Sequence, residues 1–219
     1  MVISQDMIML LLKALYETTY MVFVSTVISG LIGIPLGVIL IVTDKNHILE
    51  SLHINRCLGL MVNAARSTPF IILMVAIIPF TRMVVGSSIG TVAAMVPLTI
   101  AAIPFVARLV ETSLKELEYG VIEAAQAMGA TPWQIITRVM LPETMPSIVA
   151  ALTNTIINLI GYSAMAGAIG GGGLGDLAIR YGYQRFQPMV MLATVIILII
   201  QVQLVQSVGD YIARSLNKK

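Results

Sequence analysis

The chain has 219 residues, 58% of them hydrophobic and only 11% charged, with a mean hydropathy of +0.93. That balance excludes an ordinary soluble domain, where about a quarter of residues are charged, and identifies an integral membrane protein. The net charge of +2 is small and dispersed, which argues against nucleic-acid binding, while the single cysteine, Cys57, excludes an internal disulfide and a cysteine metal cluster.

In chain order, the first charge-free run is 18–43. It is too long for a signal peptide, lacks a basic lead and follows Glu17, so it is expected to stay as a membrane helix. In the polar connection after it, His47 and His53 lie six residues apart. That spacing does not stack both rings on one helical face and gives metal binding little support. The second run, 57–81, contains Arg66 at the start of "RSTPF". Arg66 is placed to snorkel to the surface or pair structurally, or else to line an inner vestibule. Pro69 leaves backbone groups without helical partners, which suits a helix that lines a polar path.

Three further runs follow, 83–107, 144–175 and 186–209. Every run exceeds the roughly 20 residues that a spanning helix needs, and none has the period-2 alternation of barrel strands. The fold expected is therefore all-α, with five transmembrane helices in one domain covering 1–219. Lys45, Arg56, Arg108, Lys115, Arg138, Arg214, Lys218 and Lys219 then lie on one side, against Lys13, Arg82, Arg180 and Arg185 on the other. The richer side is assigned to the cytoplasm, so the amino terminus lies outside and the carboxyl terminus inside.

Between the third and fourth runs lies a polar loop, 108–143, that contains "EAAQAMGATPWQIITRVMLPE". Residues 121–128 read as a short helix with Val121, Ala125 and Met128 on one face. Gly129 stops it. Thr131 is a good N-cap, Pro132 suits the first helical position, and Gln134 completes a capping box. Ala124, Ala125 and Ala127 would let another surface come close, and Glu123 puts a charge at the rim. On periodicity alone, this is an amphipathic surface helix joining two spans, or a docking element.

In the fourth run Asn154, Asn158, Tyr162 and Met165 fall at i, i+4, i+8 and i+11, forming a stripe on one face. Helix packing through Asn is one reading. The other is a translocation path, with Tyr162 and Met165 as a gate beside Gly161 and Gly167. Gly170-x-Gly172-x-x-Gly175 matches a dinucleotide fingerprint in letters only, since no strand precedes it and no Gly-Lys-Ser/Thr occurs anywhere. It reads as a flexible exit from the fourth span, or as an outer gate. Gln201, Gln203 and Gln206 suit hydrogen bonds between helices. The fourteen Met residues are scattered filler, and no nucleophile, base and acid set suggests an enzyme.

The loop pattern Glu-Ala-Ala, three residues, Gly129, nine residues, then Val139-x-Leu141-Pro142 resembles the signature of binding-protein-dependent ABC importer permeases, with Val139 where Ile is usual. "RSTPFIILMVAIIPFTRMVVGSSIG" and "GYSAMAGAIGGGGLG" are similar to segments of methionine-importer permeases, and the resemblance covers about 15–207. It implies a type I importer permease fold in the bacterial inner membrane, with residues 123–129 in a coupling helix that docks on a cytoplasmic ATPase. It also implies a homodimer, two ATPase copies that use ATP and Mg, and an extracytoplasmic methionine-binding protein, with or without a lipid anchor. This chain would bind no cofactor and carry D- and L-methionine. A permease for another small amino acid is the alternative, as is an ion-coupled secondary carrier. The carrier commonly needs an ionisable group inside the membrane, and the apolar runs offer only Arg66.

Overall fold

A computed structural model describes residues 5–217, and every regular element among them is helical. Helix α1 (Gln5–Val42) is apolar nearly all round, as a helix surrounded by lipid and protein should be. It begins well before the first apolar run, so Lys13 and Glu17 lie one turn apart on the same helix.

The second span is not the single helix expected over 57–81. It divides into α2 (Leu52–Ser67), α3 (Phe70–Ala76) and α4 (Ile78–Val85), with a bend of 100° between α2 and α3. Pro69 disfavours the helical region for the residue before it. Thr68 and Pro69 accordingly adopt two successive extended conformations (ψ 122° and 134°), and the chain turns there.

Helix α5 (Thr91–Lys115) is followed by α6 (Tyr119–Ala127), α7 (Pro132–Ile135), a wide π turn (Ile136–Met140) and α8 (Leu141–Gly167). A short α9 (Gly173–Leu177) and a second π turn (Ala178–Tyr183) lead to α10 (Pro188–Leu216). Among the described residues four helices are long and apolar enough to cross a membrane: α1, α5, the continuous 132–167 rod and α10; the bent α2–α3 pair counts as a fifth, broken span. Lys218 and Lys219, read above as topology signals, lie outside the described residues.

The centre of the bundle is the seam between α1 and α5. Gly33 and Gly37 bring the two backbones together: a Cβ on Gly37 would lie 2.6 Å from the Ala107 carbonyl oxygen and 2.8 Å from the Val110 Cβ. Small residues at such a crossing maximise van der Waals contact, which drives helix association in lipid.

The glycine-rich exit from α8 is a packed corner, not the flexible exit expected. Gly170, Gly172 and Gly173 have φ values of 89°, 80° and 76°, and this folds α9 back onto α8 and α1. Glu17 Oε2 accepts from the Gly173 N–H and Thr18 Oγ1 from the Leu174 N–H, each at 2.9 Å. Residues 173–177 are buried in full.

Candidate functional site

The 108–143 connection folds as its local signals predict. At the end of α6, Ala130 N–H donates to the Ala125 carbonyl and Gly129 N–H to that of Gln126, at 3.1 and 2.9 Å. This is a Schellman motif, and Gly129 supplies its left-handed residue at φ 78°. Immediately afterwards the Thr131 N–H donates to Gln134 Oε1 and the Gln134 N–H to Thr131 Oγ1, closing a capping box ahead of Pro132.

Helix α6 has one buried side and one exposed side. Its buried side is Ile122 with Ala125, whereas Val121 and Met128 are 39% and 82% exposed. Of the 121, 125 and 128 line only Ala125 reaches the core, paired with Ile122 at i, i+3. Ile122, Ala125, Ile135 and Met140 join Val42 of α1 and Val110 of α5 in one apolar cluster. Glu123, Ala124, Ala127, Met128, Gly129, Thr131 and Pro132 are left exposed, together with Trp133 at 72%. The loop thus has a buried face joined to the bundle and a free face rich in small and apolar groups.

A polar cluster that the sequence reading did not find lies beside it. Glu111 on α5 is buried; its carboxylate accepts from Arg108 Nη1 at 2.6 Å and pairs with Lys115 at 2.9 Å. Arg108 Nη2 donates to Asn63 Oδ1 on α2 at 2.6 Å, and Lys115 lies 3.4 Å from Asp44, just after α1. The Arg108, Glu111, Lys115 spacing is legible as i, i+3 and i+4 pairing, but the contact with Asn63 is not. Burial pushes the Asp44 carboxyl up, but the Lys45 N–H and Lys115 together outweigh it and hold it below its ordinary value. Burial pulls the neighbouring His47 below its ordinary value, and the nearby Asp44 only partly offsets that. The His47 ring meets Tyr119, the first residue of α6, edge-on at 6.0 Å.

On α8, Asn154, Asn158 and Met165 share an exposed face, as their spacing predicts, and Asn158 Nδ2 donates back to the Asn154 carbonyl at 3.0 Å. Tyr162 leans away from that stripe. Its ring stacks on Phe70 at the first residue of α3, with centroids 4.5 Å apart and planes within 3°. Phe70 was not legible as a partner, since only the break at Pro69 brings it to α8. Arg66 is exposed in the last turn of α2, three residues before Pro69. Gln201 Nε2 donates to Thr19 Oγ1 of α1 at 3.2 Å and Gln206 Nε2 to Asp210 Oδ1 at 2.7 Å. Among the described residues no cluster of three His, Cys, Asp or Glu could hold a metal.

Residues 33–219 match the family described as "Binding-protein-dependent transport system inner membrane component". A Vibrio cholerae protein named "Probable D-methionine transport system permease protein MetI" is 55% identical, covering 96% of this chain and 93% of its own length. The Escherichia coli K12 "D-methionine transport system permease protein MetI" is 51% identical over 75% and 76% of the two chains. Among solved structures, a chain of the inward-facing MetNI methionine ABC transporter superposes with a TM-score of 0.97 at 48% identity, covering 98% of this chain and 100% of that one. An amino acid ABC transporter with histidines, 21% identical with a TM-score of 0.76, shares the fold.

Proposed function

The chain belongs to the family of binding-protein-dependent transport system inner membrane components, and on that premise we propose that it is the permease subunit of an ATP-driven methionine importer. The relatives named for D-methionine transport support the substrate, and the match to the methionine transporter supports the assembly. ATP and Mg are bound and used by two copies of a separate cytoplasmic ATPase. The permease works as a homodimer, and an extracytoplasmic methionine-binding protein delivers the substrate. The Lys and Arg distribution supports an outer amino terminus and a cytoplasmic carboxyl terminus.

The observation that carries this reading is the two-faced 119–135 segment. Its free face offers Glu123, Ala124, Met128 and Trp133 to a partner, while Ile122, Ala125 and Ile135 are locked to α1 and α5. A push on the free face is therefore delivered to the spanning helices as a rigid displacement, because packed apolar cores deform little. Closure of the ATPases on ATP would draw the two docked loops together and switch the path from inward- to outward-facing. Uncovered amides are costly within a membrane, so the exposed Asn154 and Asn158 favour placing that face of α8 on the path between two copies, with Tyr162 and Met165 as its gate. Arg66 is assigned to the inner vestibule.

Glu123→Arg reverses the rim charge on an exposed side chain and leaves the α6 core untouched. The expected result is normal membrane insertion with loss of ATPase co-purification. Full retention of the ATPase by this variant and by Met128→Asp would refute the docking assignment.

A further inference from the structure

Helix α2 forms the first part of the broken second span, yet it is thinly held. Val62 is its one buried residue, and with Leu58 it rests on Leu40, Leu36 and Ala107. Two polar side chains supplement that contact: Asn55 Nδ2 donates to the Leu40 carbonyl at 2.6 Å and to Thr43 Oγ1 at 3.5 Å, and Asn63 accepts from Arg108 at 2.6 Å. Arg108 does not choose its own direction. The buried Glu111 carboxylate holds its other terminal nitrogen, and Lys115, anchored in turn near Asp44, holds the second carboxylate oxygen. On either side of Glu111 along α5, Val110 and Leu114 belong to the same apolar cluster as Ile122 and Ala125 of α6.

Resting on the importer reading above, we infer that Glu111 is a positioning residue of the transport cycle, which makes α2 follow the displacement of α6. The route runs from α6 through the apolar cluster to α5, from Glu111 through Arg108 to Asn63, and along α2 to the break at Pro69. Beyond the break, Phe70 stacks on Tyr162 of the path helix, so a shift of α2 is felt at the gate. A buried ion pair stabilises little more than a well-packed apolar residue would. What it adds here is a fixed direction for a planar guanidinium.

The test uses the permease assembled with its ATPase and binding protein in proteoliposomes, with ATP hydrolysis and methionine uptake measured on the same preparation. Asn63 is exposed, so Asn63→Leu removes the acceptor without opening the core, and Asn63→Asp keeps an acceptor for Arg108. Loss of a hydrogen bond to a charged group shifts an equilibrium by roughly tenfold. The ATP spent per methionine should therefore rise several-fold in Asn63→Leu and stay near wild type in Asn63→Asp. Glu111→Gln should raise the same ratio, and adding Asn63→Leu to it should change nothing further, since both act on one tie. Should Glu111→Gln fail to assemble, the Asn63 pair decides alone. An unchanged ratio in Asn63→Leu overturns the inference, as does an equal fall in hydrolysis and uptake, which a merely structural role would give. A wild-type complex that takes up no methionine fails earlier and removes the importer reading, and this inference with it.

Discussion

Replacing Gly129 by valine should disconnect the loop from its partner without disturbing the bundle. Gly129 holds φ 78°, and a Cβ built there meets nothing within 4 Å. The cost of a side chain is therefore conformational, not a clash: about 1–3 kcal/mol for a residue other than glycine held in the left-handed region, with a β-branched residue at the upper end. Each 1.4 kcal/mol is about a factor of ten in population, so the native corner would be depleted roughly 5- to 150-fold against relaxed alternatives. Because that corner sets where Met128 and Trp133 stand, docking should weaken in the order Gly, Asn, Ala, Val. Asn ranks nearest Gly because it visits the left-handed region most readily of the others. The assay is the affinity of the purified ATPase for each permease variant in nanodiscs, beside its thermal unfolding as a check on the bundle. A valine variant that binds the ATPase as wild type does, or an asparagine variant as impaired as valine, would refute the reasoning.

Gly37→Val should separate α1 from α5, since its Cβ would sit inside contact distance of Ala107 and Val110; overpacking of this kind costs about 1–3 kcal/mol. It should lower the unfolding midpoint, whereas Gly30→Ala, which meets open space, should not. Tyr162→Phe should preserve the stack on Phe70 and transport, while Tyr162→Ala forfeits an aromatic pair worth about 0.5–1.5 kcal/mol and should slow uptake. His47 lies below its ordinary value of 6.5 in the folded chain, so the unfolded chain takes up its proton first. The stability due to neutral His47 is complete above about pH 6.5 and is lost as pH falls through the folded value. His47→Gln should flatten that part of a pH–stability curve and leave the more acidic arm, where Asp44 titrates, in place.

What the sequence revealed was local. Gly129, Thr131, Pro132 and Gln134 each act through their own backbone or a partner three residues away, and all four behave in the structure as their chemistry predicts. The long apolar runs announce their helices for the same reason. Errors arose where a neighbour distant in sequence decides the outcome. Which side of α6 turns inward was left open by its own spacing, because Val42 and Val110 decide it: Ile122 faces in and Met128 faces out. Hydropathy averaged across Thr68 and Pro69 hid a bend that the pre-proline restriction already implied. Glu111 looked like a loop residue because the apolar run stops at Ala107. Helix α5 continues eight residues further, to Lys115, and buries it. The glycines after α8 looked flexible because Glu17 and Thr18, which cap and pack them, lie 156 residues away.

The central claim, ATP-driven import of methionine through this chain, is tested most directly by labelled-methionine uptake into proteoliposomes. These would hold the permease, its ATPase and the binding protein, with ATP on the ATPase side. The expected uptake requires ATP, is competed by unlabelled methionine and persists when ion gradients are collapsed. Uptake that proceeds without ATP and follows an imposed ion gradient would contradict it.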